Sequence, residues 1–335
     1  MSFELARPSR PAMVLWRAVQ VVNLLVTVAL LAGLFFYEGP TLAVLWNVLI
    51  PLLPATFLIA PALWRGICPL ATLNLLTNGL RGRRPLPVHW LRPAGTLGIA
   101  LLFVLVPARR FLFNEHGFPL ALIIVAVALG ALVLGAFFDL KAGFCNAFCP
   151  VLPVEKLYGQ HPFVSFRNPR CATCTLCTPK GCLDLSPRKS ALQATTTAEG
   201  PGRWLRTPYG VFAAAFPGFI AGYFTTTDGP LATAPGIYLH IGLWALGSYL
   251  LVTGLVRVVR IRAAVALTLL AGISVGLYYF FATPSVISTL GLSEPAVWIV
   301  RTALIGLALA WLVRGLRRLQ PSIRFPSNSD SSVPA

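Results

Sequence analysis

Seven cysteines stand in the chain, six of them between residues 145 and 182 and the seventh, Cys68, far upstream. The most specific arrangement is Cys171-x2-Cys174-x2-Cys177. Three thiolates at successive x2 spacing can wrap one corner of a cubane, each on a different iron, with the fourth ligand coming from a more remote cysteine. In two-cluster bacterial ferredoxins such a run closes as x3-Cys-Pro. Here Cys182 follows after x4 and precedes Leu183, and the Cys-Pro elements are Cys149-Pro150 and Cys68-Pro69. The ligand set is therefore spread over two segments. A zinc ribbon needs paired Cys-x2-Cys elements, which the overlapping triplet suits poorly.

Two [4Fe-4S] clusters need eight ligands, and the chain has seven cysteines. One partition joins Cys171, Cys174 and Cys177 to a Cys-Pro cysteine, Cys149, and leaves Cys68, Cys145 and Cys182 with one open or non-cysteine position. The other closes the first cluster locally with Cys182 and leaves Cys68, Cys145 and Cys149 for the second. A single complete cluster is the third option. His161, in Gly-Gln-His-Pro, is a candidate eighth ligand, weighed against the commoner loop histidine that caps or is solvated.

The elements that must carry these thiols are membrane helices. Hydrophobic residues make up 56% of the chain and charged residues 11%, against about 25% charged in a soluble domain. The mean hydropathy is +0.76. Apolar windows predict eight spans, over 13–36, 41–63, 94–113, 118–138, 208–225, 235–256, 263–282 and 296–313. The first is too long and too uniformly apolar for a signal-peptide core and reads as an anchor. The fold class expected is an all-α polytopic membrane protein with a small ferredoxin-like segment. Residues 1–138 hold four helices and the loop 64–93, residues 139–207 an iron–sulfur domain, residues 208–314 four more helices, and residues 315–335 a tail.

With a cytoplasmic N-terminus, 24 of the 27 Lys and Arg residues fall on the cytoplasmic side, a strong positive-inside pattern. The net charge of +17 is then an orientation signal and an attraction to anionic lipid headgroups, with no need for nucleic acid. Both termini and all seven cysteines are expected in the cytoplasm of a bacterial cell bounded by this inner membrane. Disulfides are disfavoured there.

An internal repeat underlies the layout. Trp64-Arg-Gly-Ile-Cys68-Pro69-Leu70 aligns without gaps on Cys145-Asn-Ala-Phe-Cys149-Pro150-Val151, with Leu73 opposite Val154 and Leu76 opposite Leu157. Trp64 stands opposite Cys145, so one copy keeps two cysteines and the other one.

At these residues the chain resembles membrane-bound polyferredoxins related to the quinol-oxidising subunit of periplasmic nitrate reductase systems, the nitrous oxide reductase accessory protein and the cytochrome oxidase assembly ferredoxins. The resemblance rests on Phe144-Cys-Asn-Ala-Phe-Cys-Pro150, Gly66-Ile-Cys-Pro-Leu70 and Cys171-x2-Cys174-x2-Cys177, and covers residues 41–185. It implies [4Fe-4S] clusters on the cytoplasmic face and electron transfer between the quinone pool and a partner redox protein. Trp64 departs from the family's first Cys-x3-Cys-Pro, and a full second ferredoxin motif is missing. Flavin-attachment and Cys-x2-Cys-His haem motifs are also missing.

A quinol site needs a proton acceptor beside a hydrogen-bond donor. His240, His116, Arg109 and Arg110, with Glu115 and Arg301, would gather near the outer face if the helices carrying them are neighbours. The plainer reading has the arginines reaching the interface and His240 bonding a neighbouring helix. Glu155, Lys156 and Tyr158 are expected on a short interfacial helix after Cys149, and Trp204, Tyr209 and Tyr223 in an interfacial aromatic belt. Arg167, Arg170, Lys180, Arg188 and Lys189 would raise a cluster's potential and receive an acidic electron carrier, or contact lipid.

The sequence thus points to electron transfer from a membrane donor, most simply quinol, to a redox partner. The alternative is an assembly factor that uses the cluster to reduce a metal or thiol for another metalloenzyme. A transporter is disfavoured because the helices hold few acidic residues to couple ions.

Overall fold

The computed structural model describes residues 2–4, 9–78, 80, 84–167, 191, 195 and 202–319. Cys171, Cys174, Cys177 and Cys182, the basic residues from Arg170 to Lys189 and the tail from residue 320 lie outside the described residues.

Proline placement sets many of the helix starts, because its fixed φ and missing N–H suit the first turn and interrupt a helix already running. Helix α1 spans Arg10–Phe36. Helix α2, Glu38–Ile59, contains a π-helical turn at Leu45–Leu49. It breaks at Ala60 before Pro61, which opens α3 at Pro61–Ile67. Pro69 ends α3 in the same way and opens α4 at Pro69–Leu76. Helices α5, His89–Phe113, and α6, Gly117–Phe137, complete the first half. A π-helical turn at Phe144–Phe148 and the short α7, Leu152–Tyr158, follow. The second half is α8, Pro208–Thr225, α9, Ala234–Val259, α10, Ala263–Thr289, and α11, Glu294–Leu319. Strand β1, Ser2–Glu4, pairs in parallel with β2, Ser165–Arg167, in register Phe3 with Phe166.

Among the described residues seven helices, α1, α2, α5, α6, α9, α10 and α11, are long and apolar enough to cross a membrane, so the chain is a multi-pass membrane protein. Their surfaces are those of lipid-facing helices. In α1, Leu25, Val26 and Val28 are exposed while Gln20 is buried.

The expected span at 208–225 is the departure. It forms α8, but it is not one of these seven helices, and thirteen of its 18 residues are buried. It lies against α9 in antiparallel register. Ser248 Oγ donates to the Ala214 carbonyl, a Cβ on Gly218 would stand 2.1 Å from the Trp244 carbonyl, and Thr225 meets His240. Helices α5 and α10 also pack on it. Enclosed by protein, α8 can spend positions on Gly, Ala and Pro that a lipid-facing helix would fill with Leu or Val.

Two further expectations fail for the same reason. Trp204, Tyr209 and Tyr223 belong to the largest apolar core and not to an interfacial belt. Helix α7 is not interfacial either, since Leu152, Glu155, Leu157 and Tyr158 are all buried. Its enclosure comes from α2, α5, α8 and α10.

Candidate functional site

Cys68 and Cys149 each stand at the break that a following proline imposes, and their backbones match, with φ −52° and ψ 128° at Cys68 and φ −61° and ψ 121° at Cys149. Non-helical torsions at the residue before a proline are the expected outcome of clash with its ring. The conformation turns each sulfur onto N–H groups that begin the next turn. Cys68 Sγ receives the backbone N–H groups of Ala71 and Leu70, and Cys149 Sγ that of Val151. The duplicated sequence unit is thus also a duplicated thiol geometry.

The stretch before each Cys-Pro differs. Cys68 N–H closes an ordinary helical turn on the Trp64 carbonyl at 2.8 Å, whereas Cys149 N–H reaches back five residues to Phe144 at 3.1 Å. One-turn π-bulges of this kind recur at functional sites. Here the bulge carries Cys145 into the pocket that holds Cys149. Cys68, Cys145 and Cys149 pack together with Ala71, Ala131 and Phe144. All three are free thiols, each close enough to feel a neighbour's charge. Trp64 does not join them. It packs edge-on to Phe57 at 6.1 Å, in the main core.

Polar side chains clip this pocket together from both loops. Arg65, buried in α3, donates from Nη2 to the Cys145 carbonyl at 3.0 Å and to Asn146 Oδ1, and its Nε stands 3.4 Å from Glu155 Oε1. Lys141 Nζ donates to the Arg65 carbonyl at 2.9 Å. From α1, Gln20 Nε2 donates to the Gly66 carbonyl at 2.8 Å and Asn23 Nδ2 to that of Ile67. From α4, Asn74 Nδ2 donates to the Ala131 carbonyl at 2.8 Å and Thr77 Oγ1 to that of Leu132 at 2.7 Å. Lys141, Gln20 and Asn23 thereby answer the Arg65, Gly66 and Ile67 carbonyls at the end of α3, which would otherwise be orphaned in an apolar setting, while Asn74 and Thr77 tie the end of α4 to carbonyls inside α6.

Burial pushes all three thiols up, Cys149 to about 12, and Arg65 draws each of them down. Burial also lowers Lys156, to about 8, with Arg65 adding to the effect. Thiols of this kind stay protonated until a thiophilic metal displaces the proton.

A soft metal centre suits this donor set and a hard cation does not. No cluster of three or more His, Cys, Asp or Glu side chains among the described residues is arranged to hold a single metal ion. In a cubane each thiolate binds a different iron, and the ligands stand apart accordingly. Three sulfurs, two of them with backbone N–H donors, and two buried cations, Arg65 and Lys141, would suit such a centre, whose net charge is negative.

His161 is not part of the thiol pocket. It is buried against α10 and α11, with Nε2 3.1 Å from Thr268 Oγ1 and its ring 5.8 Å from that of Trp311. The other expected cluster, at the opposite end of the bundle, comes together in part. Arg109 Nη1 donates to Tyr223 Oη at 3.0 Å, and Arg110 pairs with Asp228 at 2.7 Å and donates to the Tyr223 carbonyl at 2.9 Å. His240 bonds Thr225 at 3.2 Å and lines a separate cleft with Thr226, Thr227 and Asp228. His116 and Glu115 are exposed in the turn before α6. Arg301 lies instead over the rings of Phe280 and Trp298.

Arg65, Lys141, Gln20 and Asn74 were not legible as pocket residues from spacing. The available signal was polarity at positions where an apolar residue would be expected, as with Gln20 and Asn23 inside the first span. Comparison with protein-family models, with curated proteins and with solved structures finds no match for this chain.

Proposed function

We propose that the chain is a membrane-embedded iron–sulfur electron carrier that links the quinone pool to a redox partner. The carrying observation is the shared pocket of Cys68, Cys145 and Cys149, built from two Cys-Pro units of one geometry. It supports the partition in which these three serve one [4Fe-4S] cluster, with a non-cysteine fourth position, and Cys171, Cys174, Cys177 and Cys182 close the other. The resemblance to membrane polyferredoxins points the same way.

A bound cubane would supply reversible one-electron redox chemistry at a thiolate-ligated centre. The chain's own groups do the rest. Arg65 and Lys141 offset negative charge, the N–H groups of Leu70, Ala71 and Val151 hold the sulfurs, and apolar side chains of α4 and α6 exclude water. With α8 counted as a crossing beside α9, eight spans would leave both termini on one side, and the Lys and Arg concentrated in the loops there support reading it as the cytoplasmic side, in this proposal that of a bacterial inner membrane. The partner docks there.

Anaerobic purification with iron and acid-labile sulfide counts, and EPR of the dithionite-reduced protein, tests the reading. About eight irons are expected, falling to about four when Cys68, Cys145 and Cys149 are all replaced by Ser. Zinc without sulfide would overturn the proposal.

A further inference from the structure

A half-open chamber of about 320 Å³ runs between α2, α5, α7 and α8, with Leu120 and Ile123 of α6 and Tyr278 of α10 also on its wall. It lies within the size range of small-molecule sites. On α2 its wall extends from Trp46 to Phe57, about 16 Å along the helix at 1.5 Å per residue. The two ends differ in chemistry. One is floored by Val151, Val154 and Tyr158, in the segment directly after Cys149. The other ends on Arg109, whose Nη1 donates to Tyr223 Oη at 3.0 Å and Nη2 to Asn47 Oδ1 at 3.4 Å, with the guanidinium 4.8 Å above the Trp46 ring.

The partners that hold Arg109 are neutral, namely Asn47, Asn114, Tyr223 and the Trp46 face. The nearby acid, Asp228, is engaged by Arg110 and Asn114. A cation set into an apolar wall with neutral partners favours a ligand that brings acceptor oxygens to it. The aromatic side chains Trp46, Phe113, Tyr223 and Phe224 around it suit a flat ring, and the rest of the chamber suits a single apolar chain.

We propose that this chamber binds a quinone-class amphiphile, its carbonyl-bearing ring against Arg109 and Tyr223 and its chain directed toward Val151 and Val154. The choice of an isoprenoid quinone over another flat-headed lipid rests on the electron-transfer reading. The site and its polarity rest on the chamber alone. The ring thus lies at the end away from the thiols, in contact with Arg109 and separate from His240.

The test is a titration of the full-length protein in nanodiscs with a short-chain benzoquinone, following quenching of tryptophan fluorescence, with iron and sulfide counted in the same samples. Arg109→Gln and Ile220→Trp are expected to weaken binding about tenfold or more, the scale of one lost charged hydrogen bond. His240→Ala is expected to bind as wild type. Should Ile220→Trp fail to fold, Arg109→Gln, checked by its melting temperature, decides alone. Equal affinity of wild type and Arg109→Gln overturns the proposal. So does loss confined to Tyr158→Phe, which would put the ring at the thiol end, or displacement of the quinone by phosphatidylglycerol, which would make the chamber a lipid site. Quinone binding without iron would leave this inference standing and remove the electron-transfer reading. Full iron without binding would do the reverse.

Discussion

Arg65 Nε stands 3.4 Å from Glu155 Oε1, with both side chains buried, and so joins the loop that carries Cys68 to the helix that follows Cys149. Breaking one side of a buried pair leaves an uncompensated charge, at a cost of about 3–5 kcal/mol, whereas replacing both partners by apolar groups is often mild. Glu155→Leu is therefore expected to lower the melting temperature sharply in detergent. Arg65→Met with Glu155→Leu should recover most of that loss. A double variant no more stable than Glu155→Leu would show that Arg65 acts through its bonds to Cys145 and Asn146 and not through the pair.

The metal-free thiols should be unusually inert. The thiolate is the reactive form, and burial pushes Cys149 from 9.0 to about 12, which cuts its thiolate fraction near pH 8 about a thousand-fold. Iodoacetamide at pH 8 should label Cys149 slowly in the folded, cluster-free protein and at once after SDS unfolding. Raised thiol values also set the sign of the stability change. Below about pH 9 neither state ionises and nothing is lost; from pH 9 to 12 the unfolded chain ionises first, so stability falls as pH rises. A melt series across that window, with a Cys149→Ser control, measures it.

Trp64→Cys restores the cysteine that the repeat lacks, yet it should not restore a ligand. Trp64 points into the core against Phe57, away from the pocket that receives Cys145. The variant is expected to keep the wild-type iron count and to lose about 1–3 kcal/mol of stability through the vacated ring volume. A gain in iron would show that α3 can rotate to serve the cluster.

Gly218 is the closest approach in the α8–α9 contact. A Cβ there would meet the Trp244 carbonyl carbon and oxygen and the Ser248 side chain, all within 3 Å. Backbone atoms cannot swing aside, so Gly218→Leu is expected to misfold or to lose at least about 1–3 kcal/mol. Gly276→Leu, on α10 where a Cβ would meet nothing within 4 Å, is the matched control.

Much of the fold was written in hydropathy, because lipid-facing helices must be apolar along one continuous run. The seven spanning helices follow that rule, and α8 escapes it because protein and not lipid surrounds it. The same blindness to enclosure misplaced Tyr158, Trp204 and Tyr223, whose amphipathic side chains suit an interface and a buried core equally well. In the site, the Cys-Pro repeat was legible because proline dictates backbone geometry locally. The Arg65–Glu155 pair was not, since the two residues meet only through tertiary packing. His240 and Arg109 were expected together on depth alone, and the side on which each faces α8 separates them.

The enclosure of α8 bears on how the protein is made. A segment that spends its positions on Gly, Ala and Pro and is packed on protein along most of its length gains from company, and its antiparallel neighbour α9 is the next to leave the ribosome. The pair would enter the bilayer as one hairpin, with α10 sealing it afterwards. Truncation before α9 should leave residues 208–225 without the surface they pack on, so that the last third of the chain assists the placement of its own middle.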